Sequence, residues 1–420
     1  MSSHELVASG SPWLGDVPSN WRVSRFGYEA LVNGGQVDPR LEPWRSMILV
    51  APNHIERSTG RIVGRETAAK QGADSGKYLA TAGQIIYSKI RPALNKVTIA
   101  VEECLCSADM YAMSFRPTIV PRYALYYMLA RPFHSYATVT SMRVKMPKIN
   151  RDELAAAPWL VPPLEEQNSI ADFLDRETAQ IDALVAKQFE FIGLLQERRA
   201  NRTADILASL GVPDTQLRRV ARIQTGVTLS GDGDPTLPEW PYLRVANVQM
   251  GRVDLSEIKT IHLSERDASS STLQAGDVLM TEGGDIDKLG RGTVWDGLIS
   301  PMLHQNHVFA VRPTPEVLLP EYLALWLDSP NAREYFYLTA KKTTNLASTN
   351  KTIVGQLPIR VPSIEQQKSA IQRHSREIGR INALIAKAYE HIAFAKERRS
   401  ALITAAVTGQ IDVRPNRKAG

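Results

Sequence analysis

Cysteine is almost absent: Cys104 and Cys106 are the only two in 420 residues. One residue apart, without a CxxC spacing or a second pair, they form neither a zinc site nor a disulfide framework, and they fit the reducing cytoplasm. Also missing is any run near the roughly 18 consecutive apolar residues of a membrane span. Met1 to Asn20 lacks the basic start and long apolar stretch of a secretion signal. The chain is therefore expected to be cytoplasmic, with no membrane partner. Neither sign of charge dominates: 50 basic and 44 acidic residues leave +6, which permits nucleic acid without announcing it.

Catalytic and metal signatures are equally scarce. Gly72-Ala73-Asp74-Ser75-Gly76-Lys77-Tyr78 has the wrong spacing for a phosphate loop and ends in Tyr78. Asp232-Gly233-Asp234 and Asp285-Ile286-Asp287 read as acidic turns, and His304-Gln305-Asn306-His307 lacks further ligands, so no metal site is expected. The Asn/Asp-Pro-Pro-aromatic signature of adenine methyltransferases does not occur. No catalytic residue is assigned.

What the chain does have is one stretch written twice. Val161 to Arg199 and Val361 to Arg399 align without a gap at an offset of 200, and 17 of the 39 positions are identical. Ile371, Ile378, Ile385 and Ile392 recur every seventh residue, beside Ile381, Ala388, Ala395 and Leu402, which is a coiled-coil seam. The first copy places Ala171, Thr178, Val185 and Ile192 beside Ile181, Gln188 and Leu195 in the same columns. The expected helix–helix seam is Ile181, Val185, Ile192, Leu195, Ile378, Ile381, Ile385, Ala388, Ile392 and Ala395. Pro162-Pro163 ahead of Glu165-Glu166, and Ser363 three residues before Gln366, are start signals. A helix from Glu165 to about Leu207 would be roughly 60 Å long.

A mixed segment precedes each helix, from Pro18 to about Pro158 and from about Asp214 to Pro358. Gly83-Gln84-Ile85-Ile86-Tyr87-Ser88 answers Gly276-Asp277-Val278-Leu279-Met280-Thr281, each a turn glycine feeding a strand. Val50-Ala51-Pro52-Asn53 pairs more loosely with Val245-Ala246-Asn247. Phe115-Arg116-Pro117 pairs with Val311-Arg312-Pro313, and Tyr123, Tyr126 and Tyr127 with Tyr322 and Trp326. A 43% hydrophobic chain of this length holds two or three cores. The expected division is 1–158, a mixed domain; 159–212, a long helix; 213–358, a second mixed domain; 359–410, a second long helix; and 411–420, a tail. Gly211-Val212-Pro213 is a tight link, and connection length favours antiparallel helices related by a pseudo-twofold, which would hold two heads apart like a calliper.

This plan resembles the specificity subunit of type I restriction-modification systems. The resemblance runs over nearly the whole chain. It rests on Val17-Pro18-Ser19-Asn20-Trp21, the glycine-led strands, and Val161-Pro162-Pro163-Leu164-Glu165-Glu166-Gln167 with Val361-Pro362-Ser363-Ile364-Glu365-Gln366-Gln367. One departure is Ser363, where the first copy has Pro163. The resemblance implies an α+β fold: two mixed α/β target recognition domains separated by two long conserved helices, packed as an antiparallel coiled coil in a pseudo-twofold internal repeat. It also implies that each domain reads half of a bipartite double-stranded DNA site and that the helices set the gap. Two methyltransferase subunits would bind the helices and two restriction/translocase subunits would join them. S-adenosylmethionine, ATP and Mg would belong to those partners, with no cofactor in this chain.

A DNA reader needs cations for phosphates and planar polar groups for base edges. In the first domain the candidates are Lys89, Arg91, Asn95 and Lys96, then Arg143, Lys145 and Lys148; in the second, Lys288 and Arg291, then Lys341, Lys342 and Asn345. Each is weighed against a solvated loop charge, and the clusters count for more than any one member. Arg198-Arg199 and Arg398-Arg399 fit either a partner contact or a solvated helix face. Two rival readings stay open: a self-contained DNA-modifying enzyme and a scaffold with no DNA role.

Overall fold

The computed structural model describes residues 5–142, 146–228, 234–249, 251–284, 286, 289–342 and 347–414. They fall into two compact units. One holds Met1–Gln188 with Glu390–Gly420, the other Phe189–Tyr389. Each long helix is shared between the two units.

In the first unit, β1 (Ala30–Val32), β2 (Ile85–Ser88), β3 (Val97–Ile99) and β4 (Met110–Phe115) form an antiparallel sheet in the order β1-β4-β2-β3. Gly83, at φ 86°, makes the turn into β2; a side chain there would be strained. Pro121 and Pro132 start α1 (Pro121–Leu129) and α2 (Arg131–Thr140) where a missing N–H costs nothing. Asn150 caps the short α3 (Arg151–Ala155), and β5 (Pro158–Val161) pairs with Arg22–Arg25. Trp159 is fully buried under Phe26, Phe115, Tyr127 and Phe133, with centroids 4.3–6.2 Å away. Each such pair adds about 0.5–1.5 kcal/mol to the burial itself.

α4 (Leu164–Ala208) begins in this unit. Its Ile170 and Leu174 share a core with Ile403, Ala406 and Val407 of α8 (Ile364–Val407), and Asp182 meets Arg399. Numbers rise along one helix as they fall along the other, so the two run antiparallel here.

The second unit repeats the plan. Its β6 (Ala221–Thr225), β7 (Val278–Thr281), β8 (Gly292–Val294) and β9 (Val308–Pro313) form an antiparallel sheet in the order β6-β9-β7-β8. Helices α5 (Pro320–Leu327), α6 (Pro330–Thr339) and α7 (Lys351–Gln356) follow, and β10 (Pro358–Ile359) pairs with Thr215–Gln216. Within this unit Leu195 packs with Ile378, Ile381 and Ile385, and Ile206 and Leu207 share a core with Ala370 and Ile371. The helices are antiparallel here too. Of the expected seam, Ile181, Ile192, Leu195, Ile378, Ile381, Ala388, Ile392 and Ala395 are buried, while Val185 and Ile385 are half-buried.

Backbone pairing fixes which residues correspond between the domains. Gly83 and Gly276 each donate to the strand beyond, at Ala100 and Trp295, both at 2.8 Å. Gln84 and Asp277 each take the N–H three residues back, at Thr81 and Gln274. Two sequence pairings need correction. Ile85 lies opposite Met113 and Val278 opposite Val311, so Val311 corresponds to Met113 rather than Phe115. The recurring Arg-Pro dipeptide is a coincidence of composition. Likewise Leu49–Val50 pairs in parallel with Leu105–Cys106 as Tyr242–Leu243 does with Leu303–His304, so Val50 corresponds to Leu243 and not Val245.

Candidate nucleic-acid interface

Past β2 the chain crosses the segment that leads into α3. Arg91 N donates to Pro147 O at 2.8 Å, Ile149 N to Lys89 O at 3.0 Å, and Ile90 bridges Lys148. This lattice brings Lys148, distant in sequence, to one edge with Lys89 and Arg91. Lys89 Nζ lies 5.5 Å from the centre of the Tyr111 ring and Arg151 Cζ lies 6.0 Å from it. Burial, with the Lys148 charge second, holds the Lys89 ammonium below its ordinary value. The Lys89, Arg91, Lys148 and Arg151 group is a cationic edge around an aromatic ring, suited to an anion or an acceptor-rich surface. Sequence reading missed Arg151 and Tyr111. The Asn150 N-cap beside Arg151 was the available signal.

Asn95 is corrected. It is 2% exposed, sits at φ 45°, and donates Nδ2 to Leu129 O at 3.1 Å. It holds the turn between Pro92–Leu94 and β3, a place where asparagine tolerates the left-handed conformation. Lys96 is half-buried and its ammonium is held by the Pro52 carbonyl. Arg143 and Lys145 lie outside the described residues, as do Lys288 and Asn345.

In the second domain Gly283–Gly284 pairs with Ala347–Ser348, which pairs in turn with Lys341–Lys342. Both lysines are exposed, and Lys342 Nζ stands 3.6 Å over the Tyr337 ring. Arg291 is placed elsewhere: it lines a cleft of about 630 Å³ with Arg199, Glu321, Asp328 and His374. The structure thus groups Lys341 with Lys342 and leaves Arg291 beside α8.

His304 is a core residue, fully buried, its Nδ1 2.6 Å from Val308 O, and burial pushes its pKa down. His307 Nδ1 lies 2.6 Å from Glu282 Oε2. Among the described residues no cluster of His, Cys, Asp and Glu is fit to hold a metal ion. Asp232, Asp285 and Asp287 lie outside them. No described helix is long and apolar enough to cross a membrane.

The resemblance motifs acquire physical content. Trp21 Nε1 and Asn20 Nδ2 donate to the two oxygens of Glu166, at 2.8 and 2.9 Å, tying the start of the domain to the first turn of α4. Ser363 and Gln366 cap α8 reciprocally. Arg399 is not a solvated face: its side chain is 8% exposed, and it bonds Asp182 and the carbonyls of Ser58 and Thr59.

Residues 55–188 match the family model described as the type I restriction modification DNA specificity domain. Among curated proteins, the chain is similar to the type I restriction enzyme EcoDI specificity subunit of Escherichia coli, 38% identical over 171 residues, covering 41% of this chain and 38% of that protein. It is also similar to the EcoKI specificity subunit of Escherichia coli K12, 26% identical over 231 residues, covering 51% and 49%. The matched stretches thus span half or less of those relatives. A solved chain from a study of complex assembly and conformational transition in the type I R-M system shares the fold, with a TM-score of 0.62 at 19% identity over 94% of this chain and 99% of that one. The specificity-domain match lies wholly in the first unit, and the second domain has the same sheet order.

Proposed function

We propose that the chain is the DNA sequence-specificity subunit of a type I restriction-modification complex. Each mixed domain reads one half of a bipartite double-stranded site, and the paired helices set the gap. One observation carries this reading: a specificity domain is followed by a second domain of the same strand order, each feeding a long helix through the same buried glutamine. The chain itself is non-catalytic in this reading. Adenine methylation and ATP-driven cleavage belong to two methyltransferase and two restriction/translocase subunits, which bring S-adenosylmethionine, ATP and Mg²⁺. Leu184, Phe191 and Leu194 of α4, and Leu384 and Phe394 of α8, are exposed apolar residues available to the methyltransferases. A cytoplasmic setting goes with two free, buried thiols.

The test is to map methylated adenines in cells that carry the chain with its own partners. A split motif with a fixed gap is expected, and a four-residue insertion in one helix, adding about 6 Å, should lengthen the gap by about one or two base pairs at roughly 3.4 Å each. A continuous motif would overturn the reading.

A further inference from the structure

The backbone lattice makes Lys89 and Glu282 the same position in two domains. Lys89 N donates to Asp109 O at 3.0 Å, and Glu282 N to His307 O at 2.9 Å; Lys89 O accepts from Ile149 N and Glu282 O from Thr349 N, at 3.0 and 2.8 Å. Both residues directly follow the glycine-led strand, β2 in one domain and β7 in the other. The chemistry at this shared position is inverted. In the first domain a lysine stands near Asp109, whose charge acts on it. In the second a carboxylate is bonded to His307. A carboxylate only accepts, so Nδ1 of His307 carries the proton and the second carboxylate oxygen, Oε1, is left to accept from a ligand.

The surroundings differ in the same sense. Lys89 has Arg91 and Lys148 beside it, whereas the corresponding neighbours of Glu282 are Gly284 and Ser348. A Cβ built on Gly284 would meet nothing within 4 Å, so a ligand can come close to the backbone there. Lys341 and Lys342 lie one strand further on, beyond Ala347–Ser348, and can hold phosphates while Glu282 stays clear of them.

We infer that this position reads a base edge in each half-site with opposite polarity. Lys89 donates to an acceptor edge such as guanine O6 and N7, and Glu282, steadied by His307, accepts from the exocyclic amine of cytosine or adenine. The inference rests on the DNA-specificity reading above. It makes the asymmetry of the target a consequence of one inverted charge on a repeated scaffold.

The experiment maps methylated adenines in cells carrying the full-length chain and its own methyltransferase, for the unaltered chain, Glu282→Gln and Lys89→Gln. Glutamine keeps the size of the glutamate and presents an amine as well as a carbonyl. Glu282→Gln should lower the preference at one base pair of one half-site about tenfold and leave the other half untouched; Lys89→Gln should do the same in the opposite half. Melting curves of both purified variants identify one that fails to fold, and the other then carries the test in its own domain. An unchanged motif in folded variants, or a loss spread evenly over all positions, overturns the inference. No split motif in the unaltered chain overturns the function reading instead.

Discussion

Gln167 and Gln367 make the same three hydrogen bonds in two different domains. Gln167 accepts from Val120 N at 2.8 Å and donates to Thr118 O and Pro162 O at 2.9 and 2.8 Å. Gln367 accepts from Leu319 N at 2.9 Å and donates to Val317 O and Pro362 O at 2.8 and 2.9 Å. Both side chains are fully buried. Each amide ties the first turn of a long helix to the loop ahead of the domain's own proline-led helix, anchoring the helix start in that domain.

Replacing either glutamine with leucine strands one N–H and two carbonyls away from water. With buried unsatisfied groups costing about 1–3 kcal/mol each, either variant should lose several kcal/mol in its own domain. Urea unfolding followed by tryptophan fluorescence should show the affected transition at lower denaturant. Glutamate at either position should be as harmful, because an ionised carboxylate faces two carbonyls and has no proton to give them.

Arg399 is the clasp between α8, α4 and the Ser58–Thr59 loop of the first domain. Arg399→Ala should cost about 3 kcal/mol, since breaking a buried pair leaves an uncompensated carboxylate. Arg399→Lys should recover little of it, because one ammonium cannot reproduce a planar fork shared among Asp182 and two carbonyls. Hydrogen exchange should rise first at the amides around Ser58. Exchange there equal to the unaltered protein would refute the clasp.

Cys104 and Cys106 are buried in the first domain, and burial, reinforced by Glu102 for one and by Cys104 for the other, pushes their pKa values up to about 11 and about 12. A raised folded pKa favours the neutral thiol, so this contribution to stability is intact below the unfolded value of about 9 and falls away as pH climbs through that window. At pH 8 a thiol reagent should label the folded chain slower than the urea-unfolded chain by on the order of 100-fold. Comparable rates would mean that the thiols are accessible.

The residues that were legible from sequence are those whose role is periodic or conformational. Ile378, Ile381 and Ile392 announce a buried stripe through spacing alone, and Gly83 and Gly276 mark positive-φ turns whatever surrounds them. Roles set by long-range contact were not legible. Asn95 looked like a base reader because asparagine serves both left-handed turns and base edges, and only the Leu129 carbonyl decides which. Arg399 fitted either a partner contact or a solvated face because Ser58, Thr59 and Asp182, which hold it, lie far off in sequence. Arg151 and Tyr111 join Lys89 only once the pairing of Ile90 with Lys148 is known.

Lys148 and Lys341 are exposed and belong to the cation groups of different domains. If they neutralise phosphates, each removal should lower the slope of log affinity against log salt by about 0.9, because one fewer counterion is released on binding. Lys148→Ala and Lys341→Ala should therefore weaken binding of the full-length chain to a duplex bearing its mapped site at low salt and leave its base preferences unchanged. The double variant should show the sum, about 1.8, since the two act on separate phosphates. Lys89→Gln should behave differently, altering preference at one base pair more than it alters the slope. Anisotropy titrations across a salt series distinguish the cases: an unchanged slope in both single variants would assign Lys148 and Lys341 to solvent, and a changed base preference would move them from the backbone to the bases.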